Sequence, residues 1–151
     1  MMTCRNSMVV TFPSLPENEA FARVVIAAFA VQLSPTVSEM ADVKTAVSEA
    51  VTNAIVHGYE HQSGLVTLSA TIDHARTITV DVQDHGKGIA DINQALEPFY
   101  TSHPEQERSG MGFSVMQTFM DSVHVESTPG KGTTVRMRKR FHSHDTHAQA
   151  R

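Results

Sequence analysis

The pattern of apolar and polar positions is clearest at residues 39–58, where it predicts one amphipathic helix. Apolar side chains recur there at i, i+4, i+7, i+8 and i+11, at positions Val43, Val47, Ala50, Val51 and Ala54. This spacing places them on one helical face, which must be buried. Glu49 and Asn53 lie one turn apart at the border of that face. On this stretch alone, an ordinary helix with a polar flank is the favoured interpretation.

A second helix is predicted at residues 19–33, and Ser14 or Asn18 could cap it. Its predicted apolar stripe consists of Phe21, Val24, Val25, Ala28 and Phe29. Arg23 lies off this stripe, so we expect it to be exposed. Ser38 precedes the central helix.

Alternating apolar residues predict strands, and glycines and prolines separate them. Residues 65–72 and 77–82 are close enough to form an antiparallel hairpin. Residues 91–96 form a short helix at most, and residues 113–120 form a longer one. The other strands are predicted at residues 8–12, 124–127 and 133–138.

The length of 151 residues is enough for one domain and too short for two ordinary ones. We expect a single domain over residues 1–141 and a disordered tail over 142–151. Hydrophobic residues make up 40% of the chain and its formal charge is -4, which argues against disorder and against nucleic acid as the main partner. Cys4 is the only cysteine, and the longest apolar run, 24–31, cannot span a bilayer. We therefore expect a cytoplasmic protein without a membrane or export role.

Three glycine-bearing turns carry the candidate chemistry. In the first, Asp84-x-Gly86-x-Gly88 directly follows a predicted strand. Its glycines allow the backbone to approach a flat ligand, and the carboxylate can accept a hydrogen bond from an exocyclic amine such as that of adenine. As an isolated pattern it is weak, because many such sequences are only turns.

The second turn contains Gly110 and Gly112 and precedes a predicted helix, whose N-terminal N–H groups can bind an anion. Arg108 adds a permanent positive charge suited to phosphate. The third turn, Gly130-Lys131-Gly132, is the weakest of the three and could be a simple hairpin. Residues 97–110 form a long polar connection, which predicts a lid or binding loop.

Other nucleotide and metal motifs fit poorly. A P-loop needs a glycine at position 125, where this chain has Val, and neither of the first two turns has the third glycine of a dinucleotide-binding fingerprint. The sequence His57-x-x-Glu60-His61 matches a zinc peptidase motif. That chemistry needs one continuous helix, and Gly58 falls where the apolar period stops. A zinc site is therefore not expected.

The motifs, taken together and in this order, resemble the ATP-binding fold shared by gyrase, Hsp90, histidine kinases and MutL, the GHKL superfamily. More narrowly, the stretches SEAVTNAIVHGYE, TSHPEQERSGMGF and FMDSV are similar to the anti-sigma-F factors of spore-forming bacteria, which are serine kinases of that superfamily. The likeness runs from about Val10 to Lys139. It implies an α+β, two-layer sandwich in which helices cover one face of a mixed sheet.

The resemblance also implies a role for individual residues. Asn53 would coordinate Mg²⁺, and Glu49 would be the general base that takes the proton of a serine hydroxyl. Asp84 would bind the adenine amine, with Thr133 nearby. A lid at 98–109 would cover the triphosphate, and Arg108 would stabilise charge on the γ-phosphoryl group. The remaining nucleotide-binding positions are Gly86, Gly88, Ile89, Ser109, Gly110, Met111, Gly112 and Phe113.

Two functions from different classes follow from the resemblance. The first is a kinase that transfers phosphate from ATP to a serine of an anti-anti-sigma factor. The second is a nucleotide-gated binding module that sequesters the RNA polymerase factor sigma-F without significant phosphate transfer. The family combines both in a homodimer that controls sporulation, and Arg23 matches the arginine with which it grips its partners. A sensor histidine kinase is a weaker third interpretation, because it would need a phosphoacceptor histidine on a helical hairpin ahead of the ATP domain.

Overall fold

The computed structural model of the chain describes residues 4–60, 62–96 and 112–142. The strands are β1 (Cys4–Pro13), β2 (Leu65–Asp73), β3 (Thr77–Asp84), β4 (Ser122–Thr128) and β5 (Gly132–Arg140). The helices are α1 (Asn18–Ala30), α2 (Val37–Asn53), α3 (Ile92–Ala95) and α4 (Gly112–Phe119). A 3-10 turn (Val31–Leu33) follows α1, and a π-helical turn (Ala54–Gly58) continues α2. The predicted lid and the tail beyond residue 142 lie outside the described residues.

The strands form one sheet in the order β1-β2-β3-β5-β4. Their side chains alternate between buried and more exposed positions, because helices cover one face. The predicted two-layer α+β fold is thereby confirmed. The prediction of a mixed sheet was wrong in one respect, since every described strand pair is antiparallel. The reason is that β5 turns back from β4 as a hairpin and lies between β4 and β3, which separates the two strands that would have been parallel.

Helix α2 lies at the centre of the helical layer and packs against α1 and α4. The five predicted core positions of its apolar face are all buried. The helix begins at Val37, earlier than expected, because Thr36 and Glu39 form a capping box. The second carboxylate oxygen of Glu39 accepts the backbone N–H of His142 at 2.9 Å, so the last strand is joined to the start of α2.

Helix α1 packs on the core with a different face from the predicted stripe. The buried residues are Ala22, Ile26, Phe29 and Ala30, whereas Phe21, Val24 and Ala28 are exposed. The helix is apolar on most sides, so its periodicity could not identify the buried face. Small alanines allow α1 to pack closely on α2. Arg23 is exposed, as predicted, and pairs with Glu19 at 3.3 Å.

Neither predicted cap of α1 makes a capping hydrogen bond. The Ser14 hydroxyl accepts the N–H of Gly64 at 3.1 Å instead, and the Asn18 amide donates to the Pro13 carbonyl at 2.9 Å. Both side chains therefore hold the end of β1 rather than the helix. None of the helices in the described part of the chain has the length and apolar character needed to cross a bilayer.

Candidate nucleotide site

A cavity of about 360 Å³ lies between the end of α2, the ends of β3 and β5, and helices α3 and α4. This volume falls in the range of small-molecule sites. Aliphatic side chains form much of its wall, with a few polar groups among them. The predicted site residues that line it are Asn53, Asp84, Gly88, Ile89, Gly112, Phe113 and Thr133.

Asp84 is a buried carboxylate at the last position of β3. Its Oδ1 accepts the backbone N–H of Gly86 at 2.9 Å, and Thr133 also donates a backbone N–H to the carboxyl group. Burial raises the pKa of Asp84 above its ordinary value of 3.8, although these hydrogen bonds and the nearby His85 oppose the shift. A buried carboxylate that faces a cavity is suited to accept a hydrogen bond from a ligand amine.

Asn53 is the last residue of α2, and its amide lies against the start of α4. A Cβ atom at Gly112 would be 3.0 Å from Asn53 Nδ2 and 3.1 Å from Oδ1. A side chain at residue 112 would therefore press on the amide, and glycine lets the first turn of α4 approach it without that contact. An acceptor oxygen and the N-terminal end of a helix thus meet at one end of the cavity.

The first and third glycine turns pack directly against each other. Gly88 has a φ of +77°, and a Cβ atom at this position would collide with the carbonyl of Thr128. The N–H of Gly130 donates to the Lys87 carbonyl at 2.6 Å. The third turn is therefore more than a hairpin, because it also fixes the position of the first.

A serine that the sequence did not single out joins these two turns. Ser127 Oγ accepts the N–H of Ile89 at 2.7 Å and donates to the carbonyl of Gly132 at 3.0 Å. It also lies 2.8 Å from Thr133 Oγ1, which can donate to it. Since this hydroxyl is fully used, Ser127 fixes both Ile89 and Thr133 at the cavity wall.

Three further predicted site residues are described and do not line the cavity. Glu49 is half-buried one helical turn before Asn53 and is not among the residues that line the cavity. Gly86 packs against Gly58 rather than lining the cavity. Arg23 is on the exposed side of α1 and is not among the residues that line the cavity. Arg108, Ser109, Gly110 and Met111 lie outside the described residues.

Several lining residues were missed by the sequence analysis. His57 follows Asn53 at i+4, a spacing that places both on one helical side and could have identified it. Gly58 lies against Asp84, and only the folded chain brings these two residues together. The other missed lining residues with polar side chains are Lys87, Asp91 and Gln94.

Two of the three residues of the zinc motif, His57 and Glu60, lie in the described part of the chain. No group of three histidine, cysteine or acidic residues there could hold a metal ion. Glu60 forms an ion pair with Lys87, and His57 lies in the π-helical turn rather than in a regular helix. His61 lies outside the described residues.

Comparisons with known proteins agree with this geometry. The model of one family, the histidine kinase-like ATPase domain, matches residues 12–139. The chain therefore belongs to the histidine kinase-like ATPase family. It is 59% identical over 138 residues to the anti-sigma F factor of Thermoanaerobacter sp. (strain X514). The aligned residues make up 91% of this chain and 96% of that protein.

Two solved structures share the fold at low sequence identity. The first contains RsbU and RsbW domains from Mycobacterium tuberculosis, with a TM-score of 0.67 and 18% identity over 90% of this chain and 32% of that one. The second is full-length ShkA in complex with AMPPNP, with a TM-score of 0.57 and 17% identity over 91% of this chain and 32% of that one. At these identities the likeness concerns the fold alone.

Proposed function

We propose that this protein is a cytoplasmic anti-sigma factor that binds sigma-F and uses Mg-ATP to phosphorylate a serine of an anti-anti-sigma factor, and that it thereby controls sporulation. One observation carries the proposal. Asn53, Asp84, Gly112 and Thr133 come from distant parts of the chain and converge on one cavity, in a chain 59% identical to an anti-sigma F factor.

The cavity suits ATP in one orientation. Asp84 and Thr133 lie where the adenine amine would enter, and Val82 and Val135 provide apolar walls for the ring. The phosphates would then extend toward Asn53 and the first turn of α4. Backbone N–H groups at a helix start favour an anion. The predicted phosphate-binding residues at 108–111 immediately precede this turn.

The residues at the phosphate end also fit a magnesium ion. The Asn53 amide oxygen is a hard ligand, and it lies beside Gly112 at the cavity wall. Mg²⁺ characteristically takes one or two protein oxygens and completes its shell with phosphate oxygens and water. When bound, the ion would neutralise phosphate charge, while Asn53 would hold the triphosphate in place.

Glu49 is the proposed general base, and Arg108 the proposed cation for the γ-phosphoryl group. Glu49 lies one turn before Asn53, so a serine hydroxyl brought to the phosphate end would come within its reach. The carboxylate would accept the hydroxyl proton as the serine oxygen forms its bond to phosphorus. The leaving group is ADP, so the products are phosphoserine and ADP.

We further propose that two copies associate through the outer side of α1 and the free edge of β1. Three apolar residues on the outer side of α1 and in the turn after it are exposed, Phe21, Val24 and Val31, and we call this helix side together with β1 the α1–β1 edge. β1 is an edge strand in the described sheet, and Phe21 packs edge-on against Phe12 of β1 at 6.0 Å. An unpaired strand beside an apolar helix face is self-complementary and suits a two-fold homodimer.

Arg23, on the same helix, is proposed to contact sigma-F and the anti-anti-sigma factor.

A nucleotide-gated sigma-binding module without phosphate transfer is the second candidate. One observation favours it, because Glu49 is not among the residues that line the cavity. In that case ATP would only select the conformation that binds sigma-F.

The substitution Glu49→Ala separates the two candidates. We expect phosphorylation of the anti-anti-sigma factor to fall at least 100-fold, about the contribution of a general base, with ATP affinity and ATP-dependent sigma-F binding changed less than about threefold. Transfer of radiolabelled phosphate, isothermal titration and co-purification measure the three quantities. Glu126→Ala, an exposed change on β4, is the control. Unchanged phosphate transfer in Glu49→Ala would contradict the general-base role, and absent transfer in the unaltered protein would favour the binding module.

A further inference from the structure

The segment that follows α2 makes contacts that neither the motifs nor the proposed mechanism require. Instead of ending at Asn53, the helix continues through the π-helical turn Ala54–Gly58. Residues 58–60 then each contact the turn at residues 84–88, which we call the Asp84 turn. Single π-helical turns inside α-helices are frequently found at functional sites.

Gly58 contacts the Asp84 carboxyl group directly. A Cβ atom at Gly58 would lie 2.8 Å from Asp84 Cγ and 2.9 Å from Oδ1, closer than such atoms pack in proteins. The Gly58 carbonyl accepts the N–H of Lys87 at 2.8 Å, and a side chain at Gly86 would collide with the same carbonyl. Gly58 therefore determines how far the Asp84 side chain can reach toward α2.

Tyr59 holds the backbone on the other side of Asp84. Its hydroxyl accepts the N–H of His85 at 2.8 Å and donates to the carbonyl of Leu65 at 2.6 Å. The ring is buried, so both hydrogen bonds are shielded from water. The backbone immediately after Asp84 is thus joined through one hydroxyl to the first residue of β2.

Glu60 adds an ion pair with Lys87. Both side chains are more than one-third exposed, so this pair contributes little to stability. The contacts of Gly58 and Tyr59 are the ones that fix the Asp84 turn.

We propose that Gly58 and Tyr59 are positioning residues that make the site selective for a purine with a 6-amino group. The inference rests on the proposed function, in which Asp84 accepts the amine. A buried acceptor distinguishes purines with a 6-amino group from those without one only when its position is fixed within a fraction of an ångström. A displaced acceptor cannot complete the hydrogen bond to the amine. Because Asn53 lies on the same helix, one element sets the distance between the amine-binding and phosphate-binding ends of the cavity.

The test measures the preference for ATP over the 5′-triphosphate of unsubstituted purine riboside, which lacks only the 6-amino group. In Tyr59→Phe the His85 N–H and the Leu65 carbonyl lose their shared partner, and in Gly58→Ala the new methyl group displaces the Asp84 carboxylate. We expect the preference for ATP to fall roughly tenfold in each variant, because a hydrogen bond to a charged group contributes about this factor to affinity. Equilibrium titration with both nucleotides gives the ratio of the two dissociation constants.

Two controls separate positioning from general destabilisation. Ile72→Val removes a methylene from the buried end of β2 farthest from the Asp84 turn, so it should lower Tm without changing the preference. In an Asp84→Asn background, Gly58→Ala should cause no further loss of preference, because the group that it displaces no longer carries the discriminating charge.

The outcomes are distinct. If Tyr59→Phe and Gly58→Ala weaken both nucleotides by the same factor, the two residues are merely structural and the inference is overturned. A further loss of preference in the double variant overturns it as well. If the unaltered protein shows no preference for ATP, the proposed role of Asp84 fails and the inference fails with it. An unaltered preference in both variants, beside a clear preference in the unaltered protein, refutes the positioning role alone.

Discussion

At the cavity, glycines stand where a Cβ atom would meet neighbouring atoms, whereas the α1–β1 edge leaves apolar side chains and a strand edge in contact with solvent. Gly88 and Gly112 each allow one loop or helix to approach another closely. Phe21 and Val24, by contrast, are large apolar residues without a covering element among the described residues. The walls of the cavity are closely packed, while the α1–β1 edge is open to solvent.

This difference fits the two kinds of ligand that we propose for these regions. A small molecule with fixed donors and acceptors requires groups that are already in place, and close backbone packing supplies them. A second protein chain supplies its own surface, so an apolar face and unpaired backbone groups are sufficient. Even small substitutions at the cavity should therefore lower the folding stability or the nucleotide affinity. Substitutions at the edge should affect association rather than folding.

The largest effect is expected for Gly88→Ala, with Gly130→Ala as a matched control. Both glycines have positive φ, +77° and +80°, so alanine introduces similar backbone strain at either position. A Cβ atom at residue 88 also meets the Thr128 carbonyl, whereas nothing lies within 4 Å of one at residue 130. We expect a stability loss of about 3 kcal/mol or more for Gly88→Ala and about 1 kcal/mol for Gly130→Ala. Chemical denaturation measures both, and equal losses would contradict the close approach of the two turns.

A smaller effect, and one that depends on pH, is expected for Asp84→Asn. In the proposed function the Asp84 carboxylate accepts a hydrogen bond from the adenine amine, and burial raises the pKa of Asp84. ATP affinity should therefore decline as the pH falls toward this raised pKa. At pH 7 the substitution should weaken ATP binding roughly tenfold and remove this decline. Titration calorimetry over a pH series measures both effects.

The same substitution should stabilise the protein without nucleotide. The folded-state pKa lies above the ordinary value of 3.8, so the stability contribution of this carboxyl is fully present below pH 3.8 and is lost as the pH rises through the folded-state value. At pH 7 the native state therefore contains a carboxylate that burial disfavours, and an amide removes that cost. Thermal unfolding should show a higher Tm for Asp84→Asn at pH 7, and the difference should shrink in acid. A lower Tm at pH 7 would mean that the hydrogen bonds from Gly86 and Thr133 outweigh burial.

The smallest effect on folding is expected at the α1–β1 edge. Val24 is 67% exposed on α1, and Val37 is 89% exposed at the start of α2. Val24→Asp places a charge within the proposed dimer interface and should weaken self-association at least tenfold, a cost of about 1.4 kcal/mol, with little change in Tm. Val37→Asp introduces the same side chain outside that face and should leave association unchanged. Sedimentation equilibrium measures the dissociation constants, and equal behaviour of both variants would exclude this face as the interface.

The sequence predicted several residues that line the cavity, because they lie in short motifs. Asp84 and the glycines that follow it lie within five residues, and Asn53 lies on a helix whose periodicity is unambiguous. The resemblance to a known family then placed these motifs in one cavity. Residues 108–111 stay predictions, as does the role of Glu49 as a base.

The parts that the sequence could not predict depend on contacts between distant segments. Helix α1 is apolar on most sides, so packing against α2 decided which residues are buried. Ser127 and Tyr59 are ordinary residues in the sequence, and they matter because their hydroxyls meet turns far away in the chain.

By itself, the sequence determined the central helix, the alternating strands and several of the residues that line the cavity, because these follow from local periodicity and from short motifs. Only the tertiary structure decided that β5 lies between β3 and β4, which face of α1 remains open, and that Gly58 and Tyr59 hold the Asp84 turn. These features depend on side chains and backbone groups that meet across long sequence separations. Local sequence patterns do not specify which surfaces pack together in the folded chain.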